Sequence, residues 1–67
     1  MKLTPRAQGY RFTHESWDHG RYVDIRKVGR SEVEAVNDEG NTVRFDRDDM
    51  NLGWIRLGST EKLQGEA

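Results

Sequence analysis

Val33-Glu-Ala-Val-Asn-Asp-Glu-Gly-Asn-Thr-Val-Arg-Phe45 is the stretch on which the reading of this chain turns. It predicts a β-hairpin. Asp38 and Glu39 supply turn chemistry, and Gly40 is free to take the positive φ that a three-residue loop with a G1 bulge requires. Such a loop places Asn37 opposite Asn41, Val36 opposite Thr42, Ala35 opposite Val43, Glu34 opposite Arg44 and Val33 opposite Phe45. One face is then apolar and the other largely polar, as cross-strand pairing demands. A two-residue loop at Glu39 and Gly40 would set Ala35 against Arg44 and Glu34 against Phe45. That mixes the faces along the whole ladder, so it is rejected.

Working back towards the N-terminus, Arg21 to Val28 reads as a strand with Val23 and Ile25 on one face. A loop of Gly29, Arg30 and Ser31 sets Ile25 opposite Ala35 and Arg26 opposite Glu34, continuing both faces of the hairpin. Lys27 against Val33 and Val28 against Glu32 fit less well and leave room for a bulge near Val28. Gly9 to His14, with Tyr10 and Phe12 alternating against Arg11 and Thr13, is a further strand. Between the two lies His14-Glu-Ser-Trp-Asp-His-Gly20, rich in turn formers and without strand period. After Phe45, residues Asp46 to Gly53 suggest a single 3₁₀ turn with Met50 or Leu52 entering the core. Trp54 to Leu57 then forms a short last strand, Ile55 and Leu57 on one face and Trp54 and Arg56 on the other.

This order predicts an all-β fold, a small five-stranded SH3-like barrel with a short 3₁₀ turn before the last strand, in which the last strand pairs with the first. An open three-stranded meander is the structural rival. The expected organisation is an N-terminal arm over 1–8, the barrel over 9–57 and a frayed tail over 58–67. Of 22 apolar residues 18 lie between Ala7 and Leu57, which places the body there. At 67 residues without cysteine, no disulfide or cysteine-based zinc site can reinforce the core. The beginning of the chain has no apolar signal region, and no apolar run approaches the ~20 residues that span a bilayer. A soluble, cytoplasmic protein is expected.

The net charge of −1 conceals an asymmetry. Residues 1–30 carry seven Lys and Arg against three Asp and Glu, giving +4, and residues 31–67 carry four against nine, giving −5. In a barrel the two halves interleave in space, so pairing across strands competes with separate basic and acidic faces.

The stretch Val33 to Asp46 resembles the middle of Tudor-type barrels, where a strand, a glycine turn and a Val-x-Phe strand lead into an acidic residue. Arg47 stands where such barrels continue with an aromatic. The chain as a whole resembles small barrel-like accessory proteins of tailed phages. The features carrying that likeness are the aromatic first strand, the His14-x-x-Trp17 loop, the glycine-turn hairpin and the terminal Trp54 strand. The likeness implies a phage accessory protein that binds a host or phage partner.

His14, Trp17, Asp18, His19 and Tyr22 make the loop the candidate binding site, because aromatics beside carboxylates can grip a peptide, a cation or a stacked base. The alternative role of Trp17 is to cap the open end of the barrel. His14, Asp18 and His19 match no metal-ligand spacing, and the Asp46-x-Asp48 run fails as a calcium loop because Met50 and Leu57 occupy ligand positions. Ser16 beside His14 makes no triad. No metal, cofactor or enzymatic activity is expected.

The leading expectation is a non-enzymatic module binding an unidentified protein partner. The first alternative is nucleic-acid binding through Arg11, Arg21, Arg26, Lys27 and Arg30, interleaved with Tyr10, Phe12 and Tyr22. The near-neutral net charge weighs against it. The second is self-association as a homodimer through an apolar patch at Val36, Val28 or Trp54. Nothing suggests a membrane partner.

Overall fold

The hairpin forms as its sequence dictates. In the computed structural model, which describes residues 3–48 and 52–61, β3 (Glu32–Asn37) and β4 (Thr42–Asp46) pair antiparallel with Val33 opposite Phe45, Glu34 opposite Arg44 and Ala35 opposite Val43. Gly40 has φ +83°, and its N–H donates to the Asn37 carbonyl at 3.0 Å. The Asn37 side-chain oxygen accepts from the amides of Glu39 and Asn41 at 3.0 and 2.9 Å, so one side chain staples the turn. Val33 and Ala35 are wholly buried. On the other face Arg44 meets Glu34 at 3.0 Å, an exposed pair worth only ~0.2–1 kcal/mol.

β2 (Val23–Val28) pairs with β3. Ile25 faces Ala35 as expected, but beyond that point the register shifts, and Lys27 rather than Arg26 faces Glu34. The bulge sits at Arg26, not near Val28. Its physical reason is burial: the shift brings Val28 opposite Val33, and both side chains enter the core. The connection tightens accordingly. Gly29 N–H donates to the Glu32 carbonyl at 2.8 Å, leaving Arg30 and Ser31 as the turn in place of a three-residue loop.

β1 (Tyr10–His14) pairs with β2 on one side and with β5 (Trp54–Ser59) on the other. The strand order is β4-β3-β2-β1-β5, so the last strand lies beside the first. The domain is all-β, with one 3₁₀ turn at Pro5–Ala7 among its described residues. The sheet coils until side chains of its two edges meet: Phe45 of β4 stacks on Trp54 of β5, ring centroids 5.6 Å apart and planes inclined 23°.

Several sequence expectations change. β5 runs two residues beyond Leu57, and its inward side chain is Trp54, leaving Ile55 and Leu57 half exposed. Leu52 is 76% exposed and does not enter the core. Met50, and with it the middle of the expected 3₁₀ turn, lies outside the described residues. Val28 and Trp54 are buried and Val36 is half-buried, so they form no exposed apolar patch; among the described residues the exposed large aliphatics are Leu52, Ile55 and Leu57.

Residues 3–8 pack against the sheet. Leu3 is 1% exposed and Ala7 is buried beside it in the core, while the Gln8 side-chain oxygen accepts from Val28 N–H at 3.0 Å. Arg47 locks this closure. Its Nε donates to the Leu3 carbonyl at 3.0 Å and its Nη1 to the Gly29 carbonyl at 3.1 Å. Among the described residues no helix is long and apolar enough to cross a membrane.

Candidate functional site

The loop between β1 and β2 is built on His14. Its ring is buried, and Nδ1 accepts from the Ser16 amide at 3.1 Å and from the Ser16 hydroxyl at 2.7 Å. The ring proton therefore sits on Nε2, which donates to the Leu52 carbonyl at 2.6 Å. Glu15 N–H reaches the Gly53 carbonyl at 3.0 Å and Trp17 N–H the His14 carbonyl at 3.0 Å. These bonds turn the chain sharply and hold it to the segment entering β5. They also occupy the amides of Ser16 and Trp17.

Trp54 is the centre of an aromatic cluster. Trp17 meets it edge to face with centroids 5.3 Å apart and planes at 89°, His14 does so at 5.0 Å and 87°, and Phe12 at 6.4 Å and 89°. Such edge-to-face pairs add ~0.5–1.5 kcal/mol each beyond their buried area. The Trp54 indole N–H is buried without a hydrogen-bond acceptor among the described residues.

The far end of the loop is tied to the hairpin turn. Arg21 Nε lies 2.8 Å from Asp38 and its Nη2 3.2 Å from Glu39, while Thr13 donates its hydroxyl proton to the Arg21 carbonyl at 2.6 Å. Tyr22 N–H donates to Asp38 at 3.3 Å. One face of the Tyr22 ring is covered by the Arg11 guanidinium, 3.9 Å from the ring centroid. Arg11 is itself gripped by Asp24 through two bonds of 2.7 and 3.1 Å. The hydrogen bond that Arg11 donates to Asp24 holds the Arg11 pKa above its ordinary value, against the opposing effect of burial.

The result is two concavities on either side of one loop. The first, about 420 Å³, is walled by Trp17, Tyr22 and Phe45, floored by Val23 and Val43 and rimmed by Ser16, Asp18, Arg21 and Asn37. The second, about 410 Å³, shares Trp17, Asp18 and Arg21 and adds Glu15, His19, Ile55 and Leu57. Of the five residues singled out from sequence, Trp17, Asp18 and Tyr22 meet in the first cleft. His14, buried with both ring nitrogens engaged, and His19 line the second groove together with Trp17 and Asp18. Trp17 does two jobs: its ring packs on Trp54, and its remaining surface lines both concavities.

Phe45 and Val43 were not anticipated. The hairpin reads as scaffold alone, yet its core-facing row runs out to the cleft wall at these positions, both half-buried. The signal available was that Val43 and Phe45 lie on the outermost strand of the meander, where inward side chains have a neighbour on one side only.

The basic residues divide. Arg11 and Arg21 are consumed by Asp24, Asp38 and Glu39. Arg26, Lys27 and Arg30 are exposed at the β2–β3 end and have no ion-pair partner among the described residues. Among the described residues no group of three or more His, Asp or Glu is placed to hold a metal ion.

Comparison of the chain with known protein families, with characterised proteins and with solved structures returns no match.

Proposed function

We propose that this chain is a non-enzymatic protein-binding module whose first cleft receives a side chain of a partner protein. The observation that supports the reading is the cleft itself. Three aromatic walls come from the loop, from the residue before β2 and from the hairpin, and each ring packs on a side chain outside the cleft, Trp54 or Arg11. Asp18 at the rim has no ion-pair partner among the described residues. A preformed apolar hollow with one free carboxylate is the kind of surface that anchors a peptide at little ordering cost.

The test is a selection of displayed random peptides against the whole chain, followed by affinity measurement with Trp17→Ala and Tyr22→Ala. Enriched peptides should bind the parent and lose at least about tenfold in affinity to each variant, as anchor residues do. The melting temperature of Tyr22→Ala should stay close to that of the parent. No enrichment, or peptides that bind both variants as well as the parent, would contradict the reading.

A second reading is nucleic-acid binding at the β2–β3 end. The Arg26 bulge supports it by leaving Arg26 and Lys27 both exposed beside Arg30. Affinity for DNA or RNA should then fall steeply with salt, and absence of binding at low salt removes this reading.

A further inference from the structure

β4 and β5 are the two edges of the sheet, and they are defended differently. An edge strand presents unpaired N–H and C=O groups to any other strand, and charged side chains are the usual protection. β4 carries Arg44 and Asp46, both exposed. β5 carries Ile55 and Leu57, 49% and 48% exposed, with a single charge at Arg56 whose guanidinium lies 5.1 Å from the Tyr10 ring centroid. The two aliphatic side chains belong to the second groove, which Trp17 also lines and whose rim holds Glu15 and Asp18. Neither carboxylate has an ion-pair partner among the described residues, whereas Arg21 on the same rim is neutralised by Asp38 and Glu39.

We infer that the β5 edge accepts an extended strand of a partner protein, apolar at the alternate positions beside Ile55 and Leu57 and basic at the end that reaches Glu15 and Asp18. Main-chain bonds to the free edge supply affinity, and the alternate side chains supply selectivity. The inference rests on the protein-binding reading but is centred on the β5 edge, which shares Trp17, Asp18 and Arg21 with the first cleft and none of its other walls.

A second copy of this chain is the wrong occupant on charge grounds. Antiparallel pairing of β5 with itself, Ile55 opposite Leu57 of the other copy, sets Arg56 against its own counterpart. It also brings Glu61 of the other copy to the Leu52 end, where Glu15 is bonded to Gly53. Like charges placed opposite each other in a ladder are destabilising. A basic strand end reverses that sign and meets two free carboxylates.

The probe is a synthetic peptide alternating Val and Thr with two lysines at one end, titrated into the ¹⁵N-labelled chain. Two companions carry glutamate in place of lysine, or N-methyl groups on alternate backbone amides. Saturable shifts are expected at the amides of 54–59 and of the 15–20 loop. The glutamate peptide should bind at least about fivefold more weakly, on the scale of an exposed ion pair, and the methylated one should not bind. Leu57→Lys, at an exposed position, should keep the parent spectrum and lose at least about tenfold in affinity.

Absence of saturable shifts, or equal binding of all three peptides, overturns the inference. So does a concentration-dependent dimer in sedimentation equilibrium that Leu57→Lys dissociates, since the edge then belongs to a second copy. Tyr22 lines the first cleft and not the second groove, so Tyr22→Ala should leave the affinity of the peptide unchanged. Loss of the peptide shifts with Tyr22→Ala would place the peptide in the first cleft, defeating the β5 assignment while the protein-binding reading stands.

Discussion

Trp54 offers the sharpest test of the packing, because its indole N–H is buried without an acceptor while its ring touches four others. Two effects oppose each other in Trp54→Phe. The smaller ring leaves a void on the order of 40 Å³, costing about 1 kcal/mol at ~24 cal/mol per Å³, and the lost apolar transfer costs about as much again. Removing the unpartnered N–H returns ~1–3 kcal/mol of desolvation. The net change is therefore within about 1 kcal/mol of zero. Trp54→Ala has no such offset: it costs ~3–5 kcal/mol, as much as the ~3–5 kcal/mol that a core of this size supplies, so that variant should be unfolded at 25 °C. Urea titration followed by far-UV circular dichroism measures both. A loss of more than ~3 kcal/mol for Trp54→Phe, with unchanged denaturant slope, would mean that the N–H has a strong partner and would refute the reasoning.

Changes at three further positions probe the scaffold. Arg47→Ala strands the carbonyls of Leu3 and Gly29 and should cost about 2 kcal/mol in urea melts, with Arg47→Lys recovering part of it; a loss below ~0.5 kcal/mol would show the clamp to be idle. Deleting Arg26 removes the bulge but keeps Ile25 opposite Ala35 and Val28 opposite Val33, so cross-strand NOEs for both pairs should survive at a cost below ~1 kcal/mol. Gly53→Ala meets φ +96° and a Cβ 2.7 Å from Glu15 Cγ. The Glu15 side chain can swing aside, but the backbone cannot, so ~1–2 kcal/mol should be lost and hydrogen exchange at the Glu15 amide should accelerate; an unchanged exchange rate would count against the loop anchoring described.

The hairpin was legible because period-two alternation and a single glycine leave only one register that keeps Val33, Ala35, Val43 and Phe45 together. The same logic located Ile25 opposite Ala35. It failed at the next residue because it continued alternation through Arg26 and Lys27, two adjacent charges flanked by Ile25 and Val28. That pattern is itself the mark of a bulge, since both charges can face solvent only if one residue is extra. The roles of Leu3 and Arg47 were not legible. A lone leucine among polar residues carries no periodic signal, and an arginine aimed at two carbonyls distant in sequence is specified only by the folded chain. In the loop, composition singled out a segment whose side chains line two concavities, Tyr22 the first, His14 and His19 the second, and Trp17 and Asp18 both, but it carried no sign that His14 would be buried with both ring nitrogens engaged.

The central claim is that the hollow between Trp17, Tyr22 and Phe45 is where a protein partner docks. The most direct measurement is the ¹⁵N chemical-shift map of the whole chain saturated with a peptide selected against it. Shifts concentrated at residues 16–23, 37 and 43–45 are the predicted result. Shifts clustered instead at Arg26 to Ser31, with the amides around Trp17, Tyr22 and Phe45 unmoved, would contradict it.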